Sequence, residues 1–282
     1  MSQKRADELF QLVLNAGLPY GYQQANCHNV SHYIYMLLLS NGVTTSKIWT
    51  FSPGLYSSSS SELISFTDTK KLSPTGTIDW GYHVAPILHV QKGKEISEMV
   101  IDLGLFPEGP VHYKTWLNKL KTRKLLHLIM DADWYLFNSS MIPNYQLNND
   151  PAYDHDQNVD LPYFFWDKLI NDFFKYEGES KDNKWLPKGL AINETAMVFY
   201  NNEIAPILKM NSHKELVQDY KNLVGNVFNF ETVFRDDKWN YDMTPEFQEK
   251  YQFIISKYKE SYFTNLNKWD SMASTLENNL LK

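Results

Sequence analysis

The chain contains a single cysteine, Cys27, in 282 residues. Neither a disulfide framework nor a cysteine-rich zinc module can hold it together, so it must fold by burying an apolar core. Its length suits one large or two small domains. The longest apolar stretches, such as Tyr33 to Leu39, fall far short of the about 20 residues needed to cross a bilayer, and no membrane span is expected. The formal charge of −6 argues against nucleic acid as a partner, because binding a polyanion takes clustered Lys and Arg. Residues 1–150 carry 12 acids and 12 bases, so the whole acidic excess lies beyond them. The N-terminus shows no apolar core before a small-residue cleavage site. No Sec-type signal peptide is therefore visible, and a cytoplasmic protein is expected.

Hydrophobic spacing divides the chain into two regions. Ala6 to Leu14 places apolar residues on one helical face, closed by Gly17 and Pro19. A second helix is predicted from Cys27 to Ser40, ending at Asn41-Gly42. Lys47 to Phe51 reads as a strand. The serine-rich stretch over 52–79 reads as a long surface loop. Tyr82 to Val90 and Ile96 to Ile101 read as the two strands of a hairpin turning at Gly93. A short helix over Tyr113 to Leu120 and an apolar run over Leu125 to Met130 follow. The polar, acidic segment Asn148 to Asp160 marks a boundary, giving domains of 1–148 and 149–282. Beyond it the pattern is helical: Tyr163 to Tyr176, a capping box at Ser212 to Glu215, Thr244-Pro245 as a helix start, and a last helix over Asn265 to Leu280. The fold class is α+β with a helical C-terminal extension. The aromatic share of 15% fits either an aromatic core or an exposed acidic, aromatic surface that docks a protein.

Position gives Cys27 chemical interest. It opens a helix, where free amides and the helix dipole favour a thiolate. Such a nucleophile needs an imidazole to move protons and a third group to orient that imidazole. His83 lies on the first hairpin strand and Asp102 at the end of the second, where neighbouring side chains meet. Helix, strand, strand in the order Cys, His, Asp is the papain-like arrangement; the same spacing also suits a cysteine that merely fills a core. Trp80 and Tyr82 flank the histidine and either wall a substrate channel or pack within the sheet. Trp116 reads as core. His28 and His32, four apart on the cysteine helix, do not make up a zinc ligand set, and the acidic run Asp154 to Asp160 lacks the glycine and distal glutamate of a calcium loop. No metal is expected.

Three blocks carry a family resemblance: Cys27-His28-Asn29-Val30-Ser31-His32, Trp80-Gly81-Tyr82-His83-Val84-Ala85, and Val100-Ile101-Asp102-Leu103-Gly104-Leu105-Phe106 with Gly109-Pro110-Val111 and Trp116. Over about residues 20–120 the chain resembles the bacterial protein-glutaminases, papain-like Cys-His-Asp deamidases related in architecture to transglutaminases. It departs from them at Val30, where the family tends to carry Arg, and at Leu103-Gly104, where it carries Pro-Ser.

The resemblance implies that Cys27 is the nucleophile, His83 the acid and base, and Asp102 the orienting carboxylate. It implies hydrolysis of a glutamine side-chain amide in a protein substrate, through a thioester and without a cofactor. The Cys27 amide and a side chain from Gln23, Gln24 or Asn26 are the oxyanion donors that such chemistry requires. Transglutaminase or cysteine-peptidase activity with the same triad is a second class, and a non-catalytic protein-binding module a third. A bacterial effector delivered into host cells, docking a host protein on the C-terminal extension, is compatible with the composition.

Overall fold

The computed structural model describes residues 1–21, 26–56, 60–68, 76–120, 125–137, 173–210, 214–227 and 244–280. Helix α1 spans Gln3–Asn15 and buries Ala6, Leu9, Phe10 and Val13 as one stripe, with the Ser2 hydroxyl accepting from the Arg5 amide at 3.2 Å. Helix α2 spans Cys27–Ser40 and is buried on several sides, from His28 and Asn29 through Ile34 to Leu38. A helix of this kind lies inside a molecule rather than on its surface.

One face of α2 meets a five-stranded antiparallel sheet in the order β6-β5-β4-β1-β7. Its strands are β1 (Ser46–Phe51), β4 (Tyr82–Lys92), β5 (Glu95–Val100), β6 (Val111–His112) and β7 (Leu126–Asp131). Alternation along β4 sends Leu88 and Val90 into the core shared with α2, and Ala85 and Ile87 into a second core around Trp116. Trp116 comes from α4 (Tyr113–Lys119). The β4–β5 hairpin turns at Gly93, whose φ of 64° suits the left-handed turn. Strand β5 pairs with β4 only from Ile87 onward, so β5 leaves it before the His83 end.

The expected loop over 52–79 instead contains α3 (Pro53–Tyr56) and the paired strands β2 (Ile64–Thr67) and β3 (Thr77–Trp80). Ile64, Phe66, Ile78 and Trp80 alternate and are buried, a short period-two pattern hidden in a serine-rich setting. The helix expected over Tyr163 to Tyr176 is also corrected at its end. Phe173–Lys175 forms β9 and pairs with β8 (Trp134–Phe137), because Phe173 packs edge-on against Trp49 in the core. The boundary at 148 and 149, Asp154 to Asp160 and the start of the 212–215 capping box lie outside the described residues.

The C-terminal part is helical: α5 (Glu179–Asp182), α6 (Trp185–Phe199), a π-helical turn (Tyr200–Ile204), α7 (Ala205–Met210), α8 (Lys214–Val227) and α9 (Pro245–Leu280). Helix α6 is buried nearly all round, as its uniform hydrophobicity demands. Helix α9 has 36 residues and buries Tyr251, Tyr258, Tyr262, Trp269, Ala273 and Leu276, a stripe at heptad-like spacing. It begins at the predicted Thr244-Pro245, with the Phe247 amide donating to the Thr244 hydroxyl at 3.3 Å. Both α6 and α9 pack on α2; the Tyr33 and Trp269 rings meet edge-to-face at 5.3 Å. Leu9, Ile34, Leu190 and Trp269 belong to one continuous core. Among the described residues no helix is long and apolar enough to cross a membrane.

Candidate active site

Cys27, His83 and Asp102 line one cleft that opens beside α2 where β5 departs from β4. Asp102 stands two residues past β5 and is buried, with both oxygens engaged. Its Oδ2 lies 2.8 Å from His83 Nε2 and accepts the Trp116 indole N–H at 2.8 Å. Its Oδ1 accepts the backbone amides of Gly104 and Leu105, each at 3.1 Å. Burial alone would raise the Asp102 pKa, but the His83 charge and these donors outweigh it and hold the carboxyl below its usual range.

His83 lies between aromatic planes. Its ring stacks on Trp80 at 4.1 Å and on Trp116 at 5.4 Å, contacts that favour a cationic imidazole. Burial disfavours the charged ring, yet the Asp102 charge and hydrogen bond, joined by the Cys27 sulfur, raise its pKa to about 9. With Nε2 held by Asp102, the buried Nδ1 makes no well-formed hydrogen bond, leaving that edge of the ring for the neighbouring sulfur. The strand beneath is fixed by the Thr50 hydroxyl donating to the His83 carbonyl at 3.0 Å.

Of the flanking aromatics, Trp80 lines the cleft and Tyr82 does not. Tyr82 points to the opposite side of β4, where its ring stacks on Trp49 at 6.0 Å and its hydroxyl meets His28 Nδ1 at 2.9 Å. Gln23 and Gln24 lie outside the described residues. Asn26 is buried, with its carboxamide already committed: Nδ2 donates to Asn193 Oδ1 at 2.8 Å, and Oδ1 accepts from Asn29 Nδ2 at 3.2 Å.

The histidines of α2 face away from the cleft into a buried polar network. Asn29 Nδ2 donates to His28 Nε2 at 3.1 Å, His32 Nδ1 lies 3.0 Å from Lys47 Nζ, and Lys47 donates to the Trp134 carbonyl at 2.6 Å. Among the described residues no three His, Cys, Asp or Glu converge as a metal site.

Two residues of this neighbourhood are not apparent from sequence reasoning. Trp116, expected as core, is fully buried and also bonded to Asp102. Asn193 enters the cleft from α6, far along the chain, and nothing in its local sequence marks it.

Comparison with known proteins places this site in context. Residues 3–120 match the family model described as Glutaminase. No curated protein matches the chain. Among solved structures, the NMR structure of protein-glutaminase from Chryseobacterium proteolyticum is 18% identical, with 49% of this chain and 76% of that one covered and a TM-score of 0.40. A crystal structure of protein-glutaminase is 17% identical, covering 60% and 88% at a TM-score of 0.39. A structure of pro-protein-glutaminase is 18% identical, covering 60% and 58% at a TM-score of 0.39. Cys27, His83 and Asp102 all fall inside residues 3–120, the segment that matches the glutaminase family model.

Proposed function

We propose that the chain deamidates glutamine side chains in protein substrates, with Cys27 as nucleophile, His83 as acid and base, and Asp102 as the orienting carboxylate in a papain-like arrangement. The observation that carries this reading is the His83–Asp102 pair at 2.8 Å in the same cleft as the cysteine that opens α2. A ring that keeps its proton up to about 9 is matched to a neighbouring thiolate and to protonating a departing amine.

The Cys27 sulfur attacks the carboxamide carbon, and the oxygen that becomes negative is received by the Cys27 backbone amide at the start of α2. Cleavage of the carbon–nitrogen bond, with a proton from His83, releases ammonia and leaves a thioester. His83 then takes a proton from water, which attacks the thioester. The sulfur departs, and a glutamate remains on the target. The catalytic unit is assigned to residues 1–148, and residues 149–282 are assigned as an extension that supports it.

Intact-mass analysis of a glutamine-rich protein such as casein tests the reading. The chain should add about one dalton per modified glutamine, with matching ammonia release, and Cys27→Ala should abolish both. Cross-linked or nicked casein would move the assignment to acyl transfer or proteolysis. Equal turnover by Cys27→Ala would overturn the role of the cysteine.

A further inference from the structure

Asn26 is an unusual helix cap. An N-cap residue ordinarily has extended backbone, and its side chain accepts an amide from the first turn. Asn26 instead has φ 65° and ψ 22°, the left-handed region, and makes no side-chain cap hydrogen bond. Asparagine tolerates that conformation better than most residues but still at some cost.

The reason lies across the helix interface. Asn193, 1% exposed on α6, draws the Asn26 amide to its Oδ1 at 2.8 Å, while Asn29 donates to the Asn26 oxygen. Four residues earlier on α6, Gly189 lets the two helices touch; a Cβ there would fall 1.9 Å from Asn29 Nδ2. One face of α6 thus grips the first turn of α2, and Asn193 also lines the cleft that holds Cys27 and His83.

We infer that Asn193 is a positioning residue for Cys27: by holding the Asn26 carboxamide away from the backbone amides of the first turn of α2, it keeps that turn presented to the cleft. This rests on the deamidase reading and extends it to a residue beyond the matched segment 3–120. Without Asn193, the Asn26 carboxamide keeps only its contact with the Asn29 side chain, and rotation toward the first-turn amides would cap the helix. The competing cap would draw on the amides that face the developing oxyanion.

The test uses the full chain and exploits its single cysteine, since a thiol reagent reports on Cys27 alone. Asn193→Ala should slow alkylation by iodoacetamide at neutral pH by about tenfold and lower kcat for ammonia release by about 10- to 100-fold, with KM within about twofold. Asn26→Gly adopts the left-handed backbone freely and has no carboxamide to swing, so in that background Asn193→Ala should change either rate by less than about twofold. Should the alanine variant fail to fold, Asn193→Ser enters the same cycle. Losses that multiply in the double variant, or an alkylation rate unmoved by Asn193→Ala, overturn the inference. If alkylation responds as stated while the unaltered chain releases no ammonia, the positioning role stands and the deamidase reading falls.

Discussion

Both oxygens of Asp102 are saturated by donors that differ in kind: an imidazole, an indole and two amides of its own loop. The amides hold the carboxylate in place, while the indole shares the oxygen that His83 uses. Trp116→Phe should preserve the stack on His83 but remove one charge-assisted hydrogen bond, worth about 1.5–3 kcal/mol at a buried carboxylate. The expected results are a drop of about tenfold in kcat with little change in KM, and an upward move of the Asp102 titration toward its ordinary range. Steady-state ammonia release and carboxyl NMR titration check the two. Cys27, His83 and Asp102 were legible as a group in the sequence because each sits at a recognisable place: a helix start, a strand start and a strand end. The Trp116 contribution was not, since an indole N–H finds its partner only once α4 has docked.

At the scale of elements, the contact between α2 and α6 decides the geometry. Gly189 is helical, so its value lies in space rather than in backbone freedom. Gly189→Ala adds a methyl where Asn29 already sits and should destabilise the protein by about 1–3 kcal/mol, despite the better helix propensity of alanine. A lowered urea midpoint at unchanged slope would show this; a raised midpoint would contradict it. Elements with sustained periodicity were readable from the chain alone: α1, α2 and the β4–β5 hairpin are found where expected. The pair β2 and β3 was missed because each has four residues in a loop-like setting, too few for period-two alternation to stand out. β9 was missed because its three residues follow the pairing offered by β8, a tertiary preference that outweighs local pattern.

For the molecule as a whole, the helical part and the sheet share α2 as a common wall, and the aromatics counted in the sequence supply much of the filling. Phe199 and Tyr258 meet at 4.6 Å, and Trp269 is fully buried. That wall also carries an acid-sensitive load. Burial, joined by the Lys47 charge, lowers the His28 pKa to about 3 and that of His32 well below its usual value. The groups around them are Lys47, Tyr35, Tyr82, Tyr135 and Tyr176, with no carboxylate among these contacts. The unfolded chain binds protons at both rings near 6.5 while the folded one does not, so their contribution is full above that value. It should fall as pH drops, by about 1.4 kcal/mol per pH unit for each ring. His83 has the opposite sign and another window: its stabilisation is present below 6.5 and is lost as pH rises through about 9. Urea unfolding across pH 4 to 7 should show the acid loss, and His28→Gln should halve its slope. A flat profile would contradict the buried neutral rings.

Lys47 has no exposed surface, and burial pulls its pKa well below the ordinary value, with Asp133 opposing only in part. Its amine is therefore sealed from acylating reagents for as long as the sheet and α2 stay together. Surface lysines mark with such reagents at once, whereas this one takes a label only when the wall between the two halves parts. A single nitrogen thus keeps time on the opening of the whole molecule.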